Sequence, residues 1–315
     1  MPRTIALLIF PNFQILDAAG PLSAFELAER AAPGHYRLSV TARQAGLVAG
    51  SCGVQWQAAA FEAPERIDTL IVVGGEGTRE LRHCTATRDY LRRCAGTARR
   101  IASVCTGAYA LAEAGLLDGR RATTHWLRSR DFQRRYPAIT LESDRIFIAD
   151  GPVWTSAGIT AGIDLALALI AEDLGDEISR HVARHLVVYH RRPGGQSQHS
   201  ALLEMPTPGH RFAPLLDHMR AHLAGDLSVE RLAETAAMSP RNFARVFHAE
   251  MGMTPAKAVE RLRADAARAA VESGGLALQD IARRFGFRDQ ERMRRAFVRC
   301  FGQSPSALRR AESMS

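Results

Sequence analysis

The sequence predicts two domains of different class: an α/β domain built on a parallel sheet, followed by an all-α domain. Three observations predict this. In residues 1–175, short apolar runs alternate with helical stretches, which is the pattern of a parallel sheet covered by helices on both faces. After residue 211 such runs disappear, and apolar residues recur at helical spacing. Residues 191–211 lack periodicity and are rich in Pro, Gly, Ser and Gln, so we place a linker there, between domains at 1–190 and 212–315.

The predicted strands of the first domain are mostly continuous apolar runs, because strands of a parallel sheet are buried on both faces. Ala6–Phe10 and Leu70–Val73 are two such runs. The predicted strands are Thr4–Phe10, Tyr36–Ala42, Thr69–Gly74, Arg100–Val104, Arg121–Thr124, and Ile146–Ile148 leading into Val153–Ser156. The helices predicted between them are Ala18–Arg30, Arg79–Cys94, Gly107–Leu116 and Ile163–Asp173.

The composition excludes several classes of protein. With 315 residues, of which 46% are hydrophobic and 23% charged, the chain is typical of a globular protein with about two domains. No apolar run approaches the ~18 residues of a membrane span. The five cysteines form no C-x-x-C pair, so neither a disulfide framework nor a zinc site is expected. We therefore expect a cytoplasmic protein with reduced thiols, no membrane association, no metal and no cofactor.

Positive charge is concentrated in the second domain. The whole chain carries +8, and residues 211–315 hold 18 Lys and Arg against 12 Asp and Glu, a net +6. The first 210 residues therefore carry only +2. Lys257 is the only lysine, so nearly all of this charge belongs to arginines. Such localised charge indicates a polyanionic partner.

The second domain contains an internal repeat. Phe247–Pro255 recurs as Phe297–Pro305, with a Phe, a Gly and a Pro repeated at an offset of 50 residues. Each copy predicts a short helix, a tight turn and a second helix, which is the helix-turn-helix arrangement whose second helix enters the DNA major groove. The segment Pro255–Glu272 predicts one joining helix, roughly 27 Å long. That length would bring two recognition helices towards successive major grooves, about 34 Å apart.

The second helix of each copy carries arginines opposite its apolar face. Arginine pairs with phosphate and reads guanine with two hydrogen bonds, so these side chains are candidates for DNA contact. Arg245 and Arg295 are equivalent in the repeat, and we expect both to contact phosphate. The alternative is that these arginines only solvate an outer surface. The candidates for reading sequence are Arg241, Arg288 and Arg292, and Asn242 is a further candidate contact.

Residues 215–310 resemble the DNA-binding domain of AraC/XylS-type transcription regulators. The resemblance covers both helix-turn-helix units, the joining helix, and the closing segments Gly286–Arg288 and Phe297–Arg309. It implies binding to a double-stranded DNA operator, with RNA polymerase as a further partner. A non-specific, chromatin-like binder is the alternative, and it would bind DNA without sequence preference.

A second set of candidate residues lies where strands of the first domain end. Cys105 stands between a buried strand and a helix that opens with small residues, and such a turn is a nucleophile elbow. The helix N-terminus predicts a stabilised thiolate at Cys105. His125 and Asp17 also follow strand ends, and the Gly74–Gly77 turn could present amides as one arm of an oxyanion hole. Open α/β sheets bind ligands beyond the carboxyl ends of their strands, so we expect one site here.

This set resembles the ThiJ/PfpI branch of the class I glutamine amidotransferase-like superfamily. Val104–Gly107, Ala122–Trp126 and Thr155–Asp164 are similar to isonitrile hydratases and to the sensor domains of GlxA-type regulators. Those regulators join this flavodoxin-like, amidotransferase-like fold to an AraC-type domain. The resemblance implies that Cys105 takes the nucleophile position and Asp17 contacts it. It also implies a homodimer that responds to a small nitrogen-containing effector, such as a betaine, carnitine or arginine.

The sequence leaves two functions open. In a regulator, Cys105 would be retained without turnover, and a small effector would bind beside it. In an enzyme of isonitrile hydratase type, Cys105 would hydrate or hydrolyse a nitrogen-containing substrate, and the DNA-binding domain would have a secondary role. The candidate catalytic or ligand-contacting residues are Cys105, Asp17 and His125, and the candidate ligand-binding residues are Gly74, Gly75, Gly77, Thr106 and Cys105.

Two other site types are not expected. Glutaminases of this fold use a His-x-Glu pair downstream of the cysteine, and the only such pair here is His248–Glu250, inside a predicted recognition helix. His181 and His185 lie one helical turn apart and could bind a metal in principle. No third ligand is apparent in the sequence, so no metal site is predicted.

Overall fold

The structure is a computed structural model that describes residues 1–61, 66–188, 212–272 and 274–313. The chain forms two compact units, Met1–Gln198 and His199–Ser315. The predicted linker, residues 191–211, lies outside the described residues. Among the helices that are described, none combines the length and the apolar character that crossing a membrane requires.

The first unit is built on an eight-stranded sheet. Six neighbouring strands are parallel, in the order β4-β2-β1-β5-β6-β10, and β3 and β9 are antiparallel strands at the two edges. The strands are β1 (Arg3–Leu8), β2 (Tyr36–Ala42), β3 (Gly46–Ala49), β4 (Gln55–Ala60), β5 (Thr69–Val72), β6 (Arg100–Val104), β9 (Phe147–Asp150) and β10 (Val153–Ser156). Two short strands, β7 (Arg121–Ala122) and β8 (Thr140–Leu141), pair separately. The central strands β5, β6 and β10 are buried along their whole length, as their apolar sequences predict.

Helices cover the sheet in two groups. Helices α1, α6 and α7 contact one another, and α4 contacts both α2 and α3. The helices of this unit are α1 (Ile15–Ala31), α2 (Thr78–Leu81), α3 (Thr85–Thr97), α4 (Gly107–Glu113), α5 (Ser129–Arg135), α6 (Ala161–Leu174) and α7 (Asp176–His185). The predicted parallel α/β architecture is therefore confirmed.

The structure differs from the sequence-based prediction most clearly at three places; in addition, the short strand β8 was not predicted, and β7 ends at Ala122 instead of Thr124. The β3–β4 hairpin was not predicted, because β4 is rich in Gln and Ala and alternates between exposed and partly buried residues. The helix predicted over Arg79–Cys94 is two helices, because Cys84 adopts an extended conformation and caps the second of them. Helix α5 was also not predicted, since its sequence is mostly charged and polar.

The second unit contains seven helices within residues 212–313, as far as these are described. They are α8 (Ala213–Ala221), α9 (Val229–Thr235), α10 (Pro240–Met251), α11 (Pro255–Glu272), α12 (Leu278–Arg284), α13 (Gln290–Phe301) and α14 (Pro305–Ser313). The predicted joining helix is confirmed with its bounds as α11. It contributes Ala258 and Leu262 to a first apolar core and Ala264 and Ala267 to a second. The two helix-turn-helix units, α9–α10 and α12–α13, are thus built on one common helix.

The internal repeat has a structural counterpart at equivalent glycines. Gly252 ends α10 with φ 67° and Gly302 ends α13 with φ 70°, and both cap their helix in the left-handed conformation. The turns are also equivalent. Ala237 in the first turn has φ 53°, and Gly286 in the second has φ 77°.

Candidate functional site

Cys105 lies in the sharp turn between β6 and α4. Its φ is 57°, a left-handed conformation that is uncommon for a residue with a side chain. Its amide donates to the carbonyl of Ser156 over 3.1 Å, and its carbonyl accepts from the Thr124 hydroxyl over 2.8 Å. Gly158 allows a close approach, because a Cβ there would lie 2.7 Å from the Cys105 Sγ. The elbow predicted from the sequence is therefore present and is fixed from two sides.

Asp17 is fully buried beside this cysteine. Its Oδ1 accepts from the Ile159 amide over 2.6 Å, whereas its Oδ2 has no well-formed hydrogen bond and faces the Cys105 thiol and the Gly74 main chain. Burial raises the pKa of Asp17 to about 6. The contact between Asp17 and Cys105, which the resemblance implied, is thus present in the structure.

Burial favours the neutral form of the Cys105 thiol. Burial and the negative charge of Asp17 raise the pKa of the Cys105 thiol far above its ordinary value. The hydrogen bonds from Thr106 oppose this shift but are weaker than burial. The predicted thiolate is therefore wrong, because desolvation outweighs the helix N-terminus. A neutral thiol beside a buried carboxyl group is what the site contains near pH 7.

The glycine turn after β5 is held by Thr106. The Gly75 amide donates to the Thr106 hydroxyl oxygen over 2.9 Å, and this hydroxyl also contacts the Thr78 hydroxyl over 2.9 Å. The Gly77 amide donates to the Asn12 carbonyl over 3.3 Å. Gly74 has no room for a side chain, since a Cβ would lie 2.7 Å from the Asp17 Oδ2. The amides of Gly75 and Gly77, predicted as part of an oxyanion hole, are thus engaged within the protein.

A cavity of about 600 Å³ opens at the elbow. Of the predicted residues, Cys105, Thr106, Gly75 and His125 line it, whereas Asp17, Gly74 and Gly77 do not. His125 begins the short 3-10 turn Trp126–Arg128, and its Nδ1 accepts from the Leu127 amide over 3.3 Å. The main sheet brings Gly75, Cys105 and Thr106 to this cavity wall from the ends of β5 and β6. His125 reaches the wall from the separate β7–β8 pair.

The charged residues of this cavity were not predicted from the sequence. Arg79 reaches it from α2, Arg82 from the C-cap of that helix, and Arg128 from the turn after His125. Asp131 also lines it, and the guanidinium groups of Arg135 and Arg134 hold the pKa of Asp131 at about 2. The spacing of Arg79 and Arg82, three residues apart after the glycine turn, is a signal that could have found them.

The histidine pair on α7 gains no third ligand. The rings of His181 and His185 lie 4.5 Å apart. No group of three His, Cys, Asp or Glu side chains able to hold a metal ion occurs within the residues that are described.

The first predicted DNA-contacting helix, α10, has two distinct faces. Phe243 and Phe247 are buried in the first core. Arg241, Asn242 and Arg245 are exposed, and Arg245 donates to the Asn242 side-chain oxygen over 2.9 Å. Arg241 and Arg245 make no ion pair with any residue of the described segments. The exposed face therefore presents uncompensated positive charge.

The second predicted helix, α13, has a similar division but different charges. Met293 and Phe297 are buried, whereas Arg288, Arg292 and Arg295 are exposed. The Arg295 Nε donates to Glu291 over 3.0 Å, and Arg294 shares the same carboxylate. Arg288 and Arg292 have no acidic partner within the described segments. Arg295 is therefore less available for a new anionic partner than its repeat equivalent Arg245.

Comparisons with known proteins agree with both halves of the structure. Residues 3–172 match the DJ-1/PfpI family, and residues 232–311 match the Helix-turn-helix domain family. The HTH-type transcriptional regulator CdhR of Pseudomonas aeruginosa is 30% identical over 309 residues, which cover 97% of this chain and 91% of that protein. The HTH-type transcriptional regulator GlxA of Rhizobium meliloti is 30% identical over 313 residues, covering 98% and 96%.

An enzyme matches only in part. The isonitrile hydratase of Pseudomonas putida is 36% identical over 187 residues, which cover 59% of this chain and 78% of that protein. The regulators, in contrast, match across the DNA-binding unit as well. The resemblance to GlxA-type regulators is thus confirmed, and the chain belongs to the HTH-type transcriptional regulators that join a DJ-1/PfpI domain to an AraC-type helix-turn-helix domain.

Proposed function

We propose that this regulator contacts its operator through the exposed faces of α10 and α13. The observation that carries the proposal is that each helix has a buried aromatic face and exposed arginines with no acidic partner among the described residues. These are Arg241 and Arg245 on α10, Arg292 on α13, and Arg288 in the turn before α13. Charge of this kind pairs with DNA phosphates and reads guanine. Arg245 is assigned to phosphate, and Arg241, Arg288 and Arg292 are assigned to base reading.

DNA titrations with single variants test this assignment. An operator is first selected from random DNA by the full-length protein. Arg245→Ala should then weaken binding to operator and scrambled DNA alike and lower the salt slope by about 1. Arg295→Ala should show the same effect more weakly, because Arg295 shares Glu291 with Arg294. Arg288→Ala should lose the preference for one base at a single operator position, and this loss should reduce the binding free energy by about 1–3 kcal/mol.

A matched control is available in the same unit. Arg231 is 65% exposed on α9, which is not a recognition helix, and it pairs with Glu234. Arg231→Ala should leave the affinity and the salt slope unchanged. Equal losses for this control and for Arg245→Ala would contradict the assigned face, and no loss for any recognition-helix variant would refute the assignment altogether.

The first unit is proposed to sense a small effector in the cavity at Cys105, without turning it over. The neutral thiol, the engaged amides of Gly75 and Gly77, and the polar cavity wall all support binding more than catalysis. The resemblance suggests a nitrogen-containing effector. We also propose a homodimer, because two copies could engage repeated half-sites.

Hydration of an isonitrile is the second candidate function. The contact between the Asp17 carboxyl group and the Cys105 thiol favours it, since a carboxyl group with a pKa of about 6 could exchange a proton with a thiol near neutral pH. Incubation of the full-length protein with cyclohexyl isocyanide distinguishes the two functions. We expect no formamide product. Product that forms in the wild type and disappears in Cys105→Ala would establish the enzyme instead.

A further inference from the structure

The cavity at Cys105 carries an excess of positive charge. Arg79, Arg82 and Arg128 line it, and none of the three forms an ion pair with an acidic residue in the described part of the chain. Arg82 is half-buried, and its Nε donates to the His83 ring over 3.2 Å. Within the described part of the chain, its terminal nitrogens make no hydrogen bond. The other two arginines are exposed at the rim.

The acidic residues of the cavity do not balance these arginines. Asp131 accepts hydrogen bonds from Arg134 over 2.8 Å and from Arg135 over 2.7 Å, so its charge is already compensated. Glu76 is the remaining acidic residue of the lining, and it is exposed. Three arginines without an acidic partner against one glutamate leave an excess of two positive charges on the wall.

The described residues of the cavity also form no site for a quaternary ammonium group. Such cations bind over the faces of aromatic rings. Tyr109 is the only Phe, Tyr or Trp in the described lining, and its ring packs edge-on against Phe132 and Tyr136. Its hydroxyl donates to Asp131 and to the Arg128 carbonyl, both over 3.1 Å. The described wall therefore offers no aromatic cage.

We infer that the effector of this regulator is a small organic dianion whose two oxyanion groups bind to Arg79, Arg82 and Arg128. The inference rests on the proposed function, in which the cavity at Cys105 is the effector site. Guanidinium groups bind carboxylate and phosphate with paired N–H donors, so either group satisfies the chemistry. Thr106 and the neutral Cys105 thiol form an uncharged part of the same wall. The effector thus differs in charge from the betaines and from carnitine.

The electrostatic part is tested without knowing the effector. A cysteine at the cavity mouth is reacted with two methanethiosulfonate reagents of similar size. One reagent carries a sulfonate and the other a trimethylammonium group. Leu127 is 63% exposed and lines the cavity, so Leu127→Cys supplies that cysteine in full-length protein, and mass spectrometry measures labelling at this position. For each reagent, the labelling rate at Leu127→Cys is divided by its rate with a free small thiol. The rate ratio is this normalised rate for the anionic reagent over that for the cationic one, and we expect it to be about ten.

Variants of the arginines identify the source of the charge. Arg79→Gln, Arg82→Gln and Arg128→Gln should each lower the rate ratio about threefold. Arg130 is exposed on α5 outside the cavity, so Arg130→Gln is the matched control and should leave the ratio unchanged. A normalised ratio of one or below in the otherwise wild-type protein overturns the inference, as does a ratio that no cavity variant alters.

Direct binding tests the ligand class. The thermal midpoint of the first unit is followed by tryptophan fluorescence with succinate, 2-phosphoglycolate, glycine betaine or choline. We expect stabilisation by a dianion only, with at least tenfold weaker binding in Arg82→Gln. Succinate and 2-phosphoglycolate distinguish a carboxylate source from a phosphate source. If neither dianion stabilises the first unit, the dianion assignment is overturned.

The two proposals fail in different ways. Binding of glycine betaine or choline alone, unaffected by the arginine variants, refutes the dianion but keeps the sensor. Binding of a dianion that depends on Arg82 but leaves operator affinity unchanged keeps the anion site and refutes the sensor function.

Discussion

We expect Gly286→Ala to destabilise the second unit by about 3 kcal/mol. Gly286 has φ 77°, where a side chain costs about 1 kcal/mol. A Cβ built there lies 2.0 Å from the Leu223 carbonyl oxygen and 2.8 Å from the Arg263 Nε. The Arg263 guanidinium group donates to the carbonyls of Leu223 and Gly225, each over 2.9 Å, so the methyl group must displace main chain that this side chain anchors. Such displacement costs a further 1–3 kcal/mol, roughly.

The position of the tryptophans allows the two units to be followed separately. Trp56, Trp126 and Trp154 are the three tryptophans of the chain, and all lie in the first unit. In thermal unfolding, the helical signal of the second unit should shift down by about 12 °C or more, while the tryptophan transition stays in place. The matched control is Ala237→Gly, because Ala237 occupies the equivalent turn with φ 53°. That change should alter stability by less than about 1 kcal/mol, since the relief of strain and the added chain entropy oppose each other. A Gly286→Ala protein as stable as the wild type would refute the packing argument.

Three further predictions concern the two units. Cys105→Ala should leave operator affinity within about twofold, because the recognition helices belong to the other unit. Residues 208–315 alone should be helical by circular dichroism and should bind DNA, since α11 serves both of their cores; an unfolded fragment would contradict this. Asp17→Asn should flatten the pH dependence of the first unit. Folding raises the pKa of Asp17 from 3.8 to about 6, so the wild type binds more protons when it is folded and loses stability as the pH rises. Relative to this variant it should lose about 2.4 kcal/mol between pH 4 and pH 7, as measured by urea denaturation followed by tryptophan fluorescence.

Much of the fold was predictable because the sequence patterns are local. A few residues are enough to specify the apolar strands β1 and β5 and the turn at Cys105. The repeat is likewise recognised from short matching segments that lie 50 residues apart. The β3–β4 hairpin was not predictable on those grounds. Its exposed Leu47 and half-buried Trp56 lie on an edge where burial is incomplete, so no clean alternation marks it.

The chemistry of the cavity was harder to predict than its location. The strand ends indicated Cys105, since a parallel sheet brings its carboxyl ends to one edge. His125 was expected at the same edge and does line the cavity, although β7 pairs outside that sheet. The protonation of Cys105 depends on Asp17, which lies 88 positions earlier in the chain, and on burial, which the local sequence does not report. The excess charge of the wall likewise depends on which arginines already have acidic partners, and Arg79 and Arg135 look alike in sequence.

The length of the joining helix α11 determines how the second helix-turn-helix unit is rotated relative to the first. Each residue of a helix advances about 1.5 Å and turns about 100°, so one residue inserted within α11 would rotate its second half by that angle relative to its first. Ala258 and Leu262 would then keep their core, while Ala264 and Ala267 would face away from theirs. Outer positions of α11 can therefore change freely in sequence, but its length cannot. With both helices on the operator as proposed, the same constraint applies to the DNA, because the spacing of the two contacted sites is then set by the length of a single helix.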